Sequence, residues 1–355
     1  MWSYKCEQYV PESLKRTLPT FTFPPVSSLP ATKPSLQNST SLSRTPRTMA
    51  PVIIFGPTGQ VGSVAARTAA ELGATVWLAM RSTSKPIPGL PQESPAFHRI
   101  QADLLQPSTI TQAIQTSHAR RAFIYLVHGA PSHMHPALSA LKASGVDSVV
   151  FLSSFTIPTT LGLRDVPPAE LIPHAHAQVE ARLDDVFGPD GYVAVRPGCF
   201  ATNLLSDKAG IPAGRVVLYG ARFLQDNVAP GDVGRVVGRV LVEGKRGMQR
   251  KVYVYGPEIQ SMYDSMVGIG RVLGVDLEIT VLGREEGFQR YLKLGMPEQA
   301  ARYMVDVLGT RGRDKGDGEI FPHYEEGVRN VELYTGRPAM GLEEWVEENR
   351  AVFSA

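Results

Sequence analysis

VIIFGPTGQVGS, residues 52–63, is the stretch on which the reading of this chain turns. Four apolar residues, Val52–Phe55, run into Gly56, Gly59 and Gly62, spaced three apart, and an Ala-rich stretch follows. A buried strand, a tight turn and the first turn of a helix have this pattern. Gly56 permits a turn that a side chain would obstruct. Gly59 allows backbone to approach a pyrophosphate, and Gly62 allows the helix to lie close on a sheet. The helix start then offers unpaired N–H groups and a positive dipole end to phosphate. A ligand-free turn also uses glycine, and spacing alone is weak evidence. What decides for nucleotide binding is the chain that follows.

That chain alternates β-branched runs with helical patterns. Strands are predicted at Val52–Phe55, Thr75–Met80, Phe97–Ala102, Ala122–Val127, Ser148–Ser153 and Tyr192–Val195. Helices are predicted between them at Ser63–Leu72, Pro107–Thr116, Pro136–Ser144 and Ala175–Phe187. Strand–helix alternation of this length implies right-handed crossovers, hence an α/β fold: a Rossmann-type doubly wound parallel sheet, with ligands beyond the carboxyl ends of its strands. After Arg196 the pattern loosens. Arg235–Glu243 reads as a helix and Lys251–Tyr255 as a strand that rejoins the sheet. Gln260–Leu273, Arg284–Leu294 and Pro297–Leu308 read as helices, Thr310–Gly318 as a charged loop, and Leu342–Phe353 as a terminal helix with Trp345 and Phe353 on its apolar side. The expected division is a dinucleotide-binding domain at 49–196, rejoined by 230–257, and a smaller, mainly helical substrate-binding unit at 197–229 and 258–355.

Composition bounds the partners. The chain has 355 residues, 43% hydrophobic and 20% charged, with net charge +2, so nothing in it favours nucleic acid or an acidic membrane surface. No run of 18 apolar residues predicts a membrane span. Two cysteines, Cys6 and Cys199, make no disulfide framework and favour a reducing, cytoplasmic compartment. Residues 1–48 stand apart, with 22 Ser, Thr or Pro, six Lys or Arg and two acids. Such a segment buries too little apolar surface to offset its ordering entropy. Three readings of it stay open: a disordered tail, a start assigned too early with Met49 opening the folded protein, or a mitochondrial transit peptide, against which its prolines argue.

The second strand carries the information about which dinucleotide is held. NAD sites place a carboxylate at its end to hold a ribose 2′-hydroxyl. This chain has Arg81 there, with Lys85 close behind. A guanidinium grips a 2′-phosphate that a carboxylate would repel, so the expected cofactor is NADP. Asp103 ends the third strand, where it either meets adenine, itself or through the next N–H, or caps the following helix.

Taken in order, GPTGQVG, AMR, ADL, SSF (Ser153–Phe155), HAQVEARL (His176–Leu183), VRPGCFATNLL (Val195–Leu205), PGDVGRVVGRVL (Pro230–Leu241), VYGPE (Val254–Glu258) and YTGRPAMGLEEWVEENR (Tyr334–Arg350) resemble the NmrA-like branch of atypical short-chain dehydrogenase/reductases. The resemblance implies a phosphate loop at Gly56, Thr58, Gly59, Gln60 and Val61. It implies a 2′-phosphate contact at Arg81 and an adenine contact at Asp103 and Leu104. Val127, His128 and Gly129 fall near the nicotinamide ribose, and Pro197, Gly198, Cys199 and Phe200 on the loop passing the nicotinamide. Fungal relatives often serve secondary metabolism. One departure matters. Ordinary short-chain dehydrogenases carry a Tyr and, with three residues between, a Lys on the helix after the fifth strand, and IPHAHAQVEARL has neither.

The remaining acid–base candidates are His174 and His176, since imidazole titrates near neutral pH. Glu180 lies four residues from His176, where it either fixes the ring's tautomer or belongs to a structural network. Ser153 and Ser154 either orient a substrate carbonyl or are buried and satisfied. In HGAPSHMH (His128–His135), His133 and His135 have poor spacing for one metal on a helix face, so no metal is expected. Cys199 has no basic neighbour to lower its pKa and reads as packing. Met262, Tyr263, Phe288, Tyr291 and Met296 line an aromatic-substrate pocket or are plain core. Two functions are expected: an NADPH-dependent oxidoreductase acting on a small quinone-, enone- or imine-like substrate, or a non-catalytic NADP-binding redox sensor acting through a protein partner.

Overall fold

The computed structural model describes residues 50–92, 94–247, 249–310 and 320–353. The readings of residues 1–48 and of Thr310–Gly318, apart from Thr310 itself, fall outside them. Seven strands form one parallel sheet: β1 (Val52–Phe55), β2 (Val76–Met80), β3 (Phe97–Gln101), β4 (Arg121–Tyr125), β5 (Ser148–Leu152), β6 (Tyr192–Pro197) and, after β7 and β8, β9 (Lys251–Val254). Their order is β3-β2-β1-β4-β5-β6-β9, and every pairing is parallel. Order reverses between β1 and β4, which opens a crevice beyond their carboxyl ends.

Helices cover both faces, so the central strands are buried throughout. On one face α2 (Pro107–Ser117), α3 (His135–Ala143) and α4 (Leu171–Phe187) lie side by side over Ile53, Phe55, Ile124 and Phe151. On the other, α1 (Gln60–Glu71) packs against α5 (Pro230–Glu243). This helix pair is close because α5 presents Gly234 and Gly238 to α1. A Cβ on Gly234 would lie 2.8 Å from the Val61 carbonyl oxygen, and one on Gly238 2.8 Å from that of Ala65. The α5 helix begins five residues before the predicted Arg235, with Pro230 in its first turn.

A second core joins Ala201, Leu204, Leu218, Met266, Trp345 and Phe353. Around it, β7 (Arg215–Leu218) pairs in parallel with β11 (Glu278–Val281), and β8 (Leu224–Gln225) antiparallel with β10 (Gln260–Ser261). The predicted helix Gln260–Leu273 is β10 followed by α6 (Met262–Leu273), whose N-cap Ser261 accepts from the Asp264 N–H at 3.0 Å. Then come α7 (Arg284–Lys293), α8 (Glu298–Thr310), α9 (Tyr324–Thr335), α10 (Leu342–Glu348) and α11 (Arg350–Phe353). The predicted single terminal helix is therefore two, broken at Asn349, whose amide donates to the Trp345 carbonyl at 2.8 Å in competition with the helical ladder. The α9 helix packs on β9 and α5, so this part of 258–355 serves the sheet.

Candidate functional site

The turn between β1 and α1 is built from backbone. Gly56 has φ +67°, and a Cβ there would meet the Tyr125 ring at 2.5 Å. The Gly59 N–H donates to the Gly56 carbonyl at 3.1 Å, and Gly59 is the N-cap of α1 with no side chain closing the helix end. At Gly62 a Cβ would lie 2.3 Å from the Gly56 carbonyl oxygen, so that position excludes every side chain. Thr58 is half-buried, Gln60 exposed and Val61 buried. The result is an open helix tip at the sheet's switch point.

Arg81 follows β2 directly and is exposed, as is Lys85. Asp103 is not the cap of α2; that place is held by Gln106. Its carboxylate instead accepts from the Leu105 N–H at 2.9 Å, closing its own turn, and its N–H donates to Thr109 Oγ1 at 2.9 Å. Leu104 is buried. The β4 strand ends at Tyr125, two residues earlier than predicted, and this leaves Val127, His128 and Gly129 (φ +73°) in the following turn. The Val127 N–H points to Met134 Sδ at 3.4 Å. Ser132, His133 and Met134 all have positive φ, between 48° and 66°, a rare run for residues with side chains.

Beyond β5 and β6 the polar groups face each other. Ser153 donates its hydroxyl to Glu180 Oε1 at 2.5 Å. Glu180 also accepts two bonds from Arg196, at 3.0 and 2.7 Å, and Arg196 Nη1 donates to the Tyr253 hydroxyl at 3.2 Å. Glu180 and Arg196 are 0% and 1% exposed, so this is a fully internal pair. The Ser153 hydroxyl is thus taken, and Glu180 does not set the His176 tautomer. That is done by the Ile172 carbonyl, 2.9 Å from His176 Nδ1. Burial, then the His128 and Arg196 charges, push the His176 pKa down to about 3 despite that bond. His176 is a neutral ring at physiological pH and has no proton to give as a general acid. His174 Nδ1 sits 2.6 Å from the Val166 carbonyl, and its ring meets the edge of His133 at 5.8 Å. Among the described residues no three His, Cys, Asp or Glu side chains converge to hold a metal.

The loop after β6 is pinned by a residue the sequence did not single out. Asp226, 1% exposed, accepts from the Cys199 N–H at 2.6 Å and the Gly256 N–H at 2.9 Å. A Cβ on Gly198 would lie 2.1 Å from Asp226 Oδ2, so the carboxylate requires that glycine. Burial pushes the Asp226 carboxyl up to about 7, against the backbone N–H groups that favour its charged form. Burial and the Asp226 charge likewise raise the Cys199 thiol, which fits packing rather than reactivity. Pro197 and Phe200 are buried beside it. The aromatic-pocket candidates differ in their surroundings. Tyr263 is exposed, Met262 half-buried and Met296 buried, Phe288 lies under Arg302, and Tyr291 packs edge-on to Tyr219.

An open glycine turn at the switch point of a seven-stranded parallel sheet defines a Rossmann-type fold. No family model matches the chain. It is 33% identical over 319 residues to the nitrogen metabolite regulation-like protein bik4 of Gibberella fujikuroi, covering 83% of this chain and 95% of that protein. The chain belongs to the nitrogen metabolite regulation-like, or NmrA-like, family. Solved structures share the fold, among them two with bound cofactor. Citrobacter sp. triphenylmethane reductase complexed with NADP(H) superposes with TM-score 0.63 at 14% identity, over 84% of this chain and 99% of that one. The Escherichia coli NADPH-dependent quinone oxidoreductase complexed with NADPH gives TM-score 0.64 at 18% identity, over the same shares, 84% and 99%.

Proposed function

We propose that this chain is an NADP(H)-dependent oxidoreductase whose substrate is a small, electron-poor quinone-, enone- or imine-like molecule. The fit of the cofactor rests on a turn folded too tightly to admit side chains at Gly56 and Gly62, and on the uncapped α1 tip that this turn leaves open. Thr58, Gly59, Gln60, Val61 and Gly62 hold a diphosphate there. Arg81 and Lys85 hold the 2′-phosphate, Asp103 and Leu104 border adenine, and Val127, His128 and Gly129 the second ribose. Pro197, Gly198 and Phe200 border the nicotinamide, while Ser153 supports that wall only through its bond to Glu180. When bound, the nicotinamide supplies hydride chemistry.

One observation carries the substrate class. Two polar side chains near the expected nicotinamide position are turned inward, Ser153 to Glu180 and His176 Nδ1 to the Ile172 carbonyl, and burial raises the Cys199 thiol. A substrate reduced here therefore has to stabilise its own negative charge, as a quinone or conjugated acceptor does. The chain's residues then orient the acceptor and exclude water. That the two structural neighbours bind NADP(H) as reductases supports this reading. The test is loss of reduced-cofactor absorbance with a panel of quinones, enones and imines. Turnover of at least one acceptor with NADPH is expected, and tight binding of NADPH with no turnover of any acceptor overturns the enzymatic part.

The same internal commitment, with a regulation-like relative, favours a second reading as a redox sensor working through a protein partner. Such a sensor binds NADP(H) and turns over no acceptor.

A further inference from the structure

We infer that Arg99, on β3, is a positioning residue for 2′-phosphate selectivity: it shapes the turn Arg81–Lys85 so that the turn's outer face accepts an anion. The inference rests on the NADP(H) reading above.

The turn RSTSK has two cations, three hydroxyls and no acid, and no carboxylate occurs anywhere in Arg81–Leu90. The β2–β3 register places Arg99 opposite Leu78, two residues before the end of β2. From there one nitrogen, Nη1, donates to the carbonyls of Thr83 at 2.9 Å and Lys85 at 2.6 Å. These bonds fix more than position. A trans peptide holds its C=O and the next N–H antiparallel. Turning the Thr83 carbonyl toward Arg99 therefore turns the Ser84 N–H away from it. Two carbonyl dipoles that would repel a phosphate are directed to the guanidinium, and an amide donor is left on the far side. The Ser82 and Ser84 hydroxyls are 3.1 Å apart, which keeps the turn tight.

The rest of the segment is anchored independently. Ile87 is 3% exposed, and the Leu90 N–H donates to its carbonyl at 3.1 Å. Gly89, at φ +68°, lets backbone lie against the Arg67 guanidinium, where a Cβ would be 2.3 Å from Nη1. With β2 fixing one end and Ile87–Leu90 the other, Arg99 governs the backbone between them, from Arg81 to Lys85. Its Nη2 is buried and has no hydrogen-bond partner among the described residues. A buried guanidinium nitrogen without a partner costs stability, which fits a site formed for an anion and not for the fold alone.

The experiment is calorimetric titration of the full chain with NADPH and NADH, on wild type, Arg99→Met, Arg99→Lys and Arg81→Ala. Arg99→Met is expected to weaken NADPH on the order of tenfold while leaving NADH within about twofold, because only a charge-assisted phosphate grip is loosened. Arg99→Lys, which keeps charge but not the fork, falls between. Equal losses for both nucleotides, or none for NADPH, overturn the inference. A wild type with no preference for NADPH sinks the cofactor reading instead, whereas a preference lost in Arg81→Ala but kept in Arg99→Met sinks only this one. Should Arg99→Met not fold, nitrogen-15 NMR of wild type decides: 2′-AMP must shift the Ser84 amide and 5′-AMP must not, and an unmoved Ser84 amide overturns the assignment.

Discussion

The two halves of the sheet's carboxyl edge are built on opposite plans. On the β1–β2 side the polar groups stay open: an uncapped helix tip, an exposed Arg81, an exposed Lys85. On the β5–β6 side they close on one another, through Ser153, Glu180, Arg196 and Tyr253, with His176 turned to its own helix. Open polar groups in a crevice await a guest, whereas closed ones hold the fold. The difference matches the proposed reading, in which the first side grips the phosphates and the second, where a Tyr–Lys pair is lacking in the sequence, supplies a wall rather than a proton donor.

Breaking the closed side has the largest expected effect. Arg196→Met leaves the Glu180 carboxylate buried and unpaired, at a cost of about 3–5 kcal/mol in urea unfolding. The double variant Glu180→Leu with Arg196→Met is expected to recover most of that loss, because two apolar side chains leave no orphan charge. A single variant as stable as wild type contradicts the internal pair. On the open side, Gly62→Val drives a Cβ into the Gly56 carbonyl, which is backbone and has nowhere to go. We expect about 2–3 kcal/mol lost and nucleotide binding abolished by calorimetry. The comparison fails if Gly62→Val binds NADPH normally.

The open side was largely legible in the sequence, and the closed side was not. Glycines at 56, 59 and 62 and an Arg in place of a carboxylate are local signals, because backbone clearance and charge act where the residue stands. Glu180 and Arg196 lie 16 residues apart on different elements, so their bond is a tertiary fact. A trace of it was present: Glu180 lies on the buried stripe of α4 with His176 and Leu183, and a carboxylate on such a stripe calls for a cation. Asp226 left no such trace. LQDNVAP looks like a polar loop, and only the folded chain shows Gln225, Asp226 and Asn227 all buried. The α9 helix was missed because it carries three acids, Glu325 and Glu332 exposed and Glu326 half-buried, beside a thin apolar face.

Arg81→Ala sharpens the contrast at a smaller scale. Removing one charge-assisted phosphate contact is expected to cost about 1.5–3 kcal/mol of NADPH affinity, with NADH unchanged. Stability and the pairing of Glu180 with Arg196 stay as they are, since Arg81 is exposed and on the other side of the sheet's edge. An unchanged ratio of NADPH to NADH affinity removes the phosphate grip from the open side.

The smallest effect, taken per pH unit, is a slope. Apart from the Glu180–Arg196 pair, the closed side holds two buried groups toward their neutral forms, with opposite consequences. His176 falls from 6.5 to about 3 on folding, so its contribution is complete above pH 6.5 and is lost as pH falls toward 3. Asp226 rises from 3.8 to about 7, so its contribution is complete below pH 3.8 and is lost as pH rises through 7. Between roughly pH 4 and 6.5 the native chain holds one proton on Asp226 that the unfolded chain lacks, and lacks one on His176 that the unfolded chain holds, so the two slopes cancel. Each variant uncovers the other group. Asp226→Asn is expected to gain stability with rising pH across that window, at about 1.4 kcal/mol per unit, and His176→Gln to lose it at the same rate. Urea midpoints from pH 4 to 6.5 read both signs. Two parallel profiles would mean that at least one of these groups is charged inside the protein, and the closed side would then not be closed.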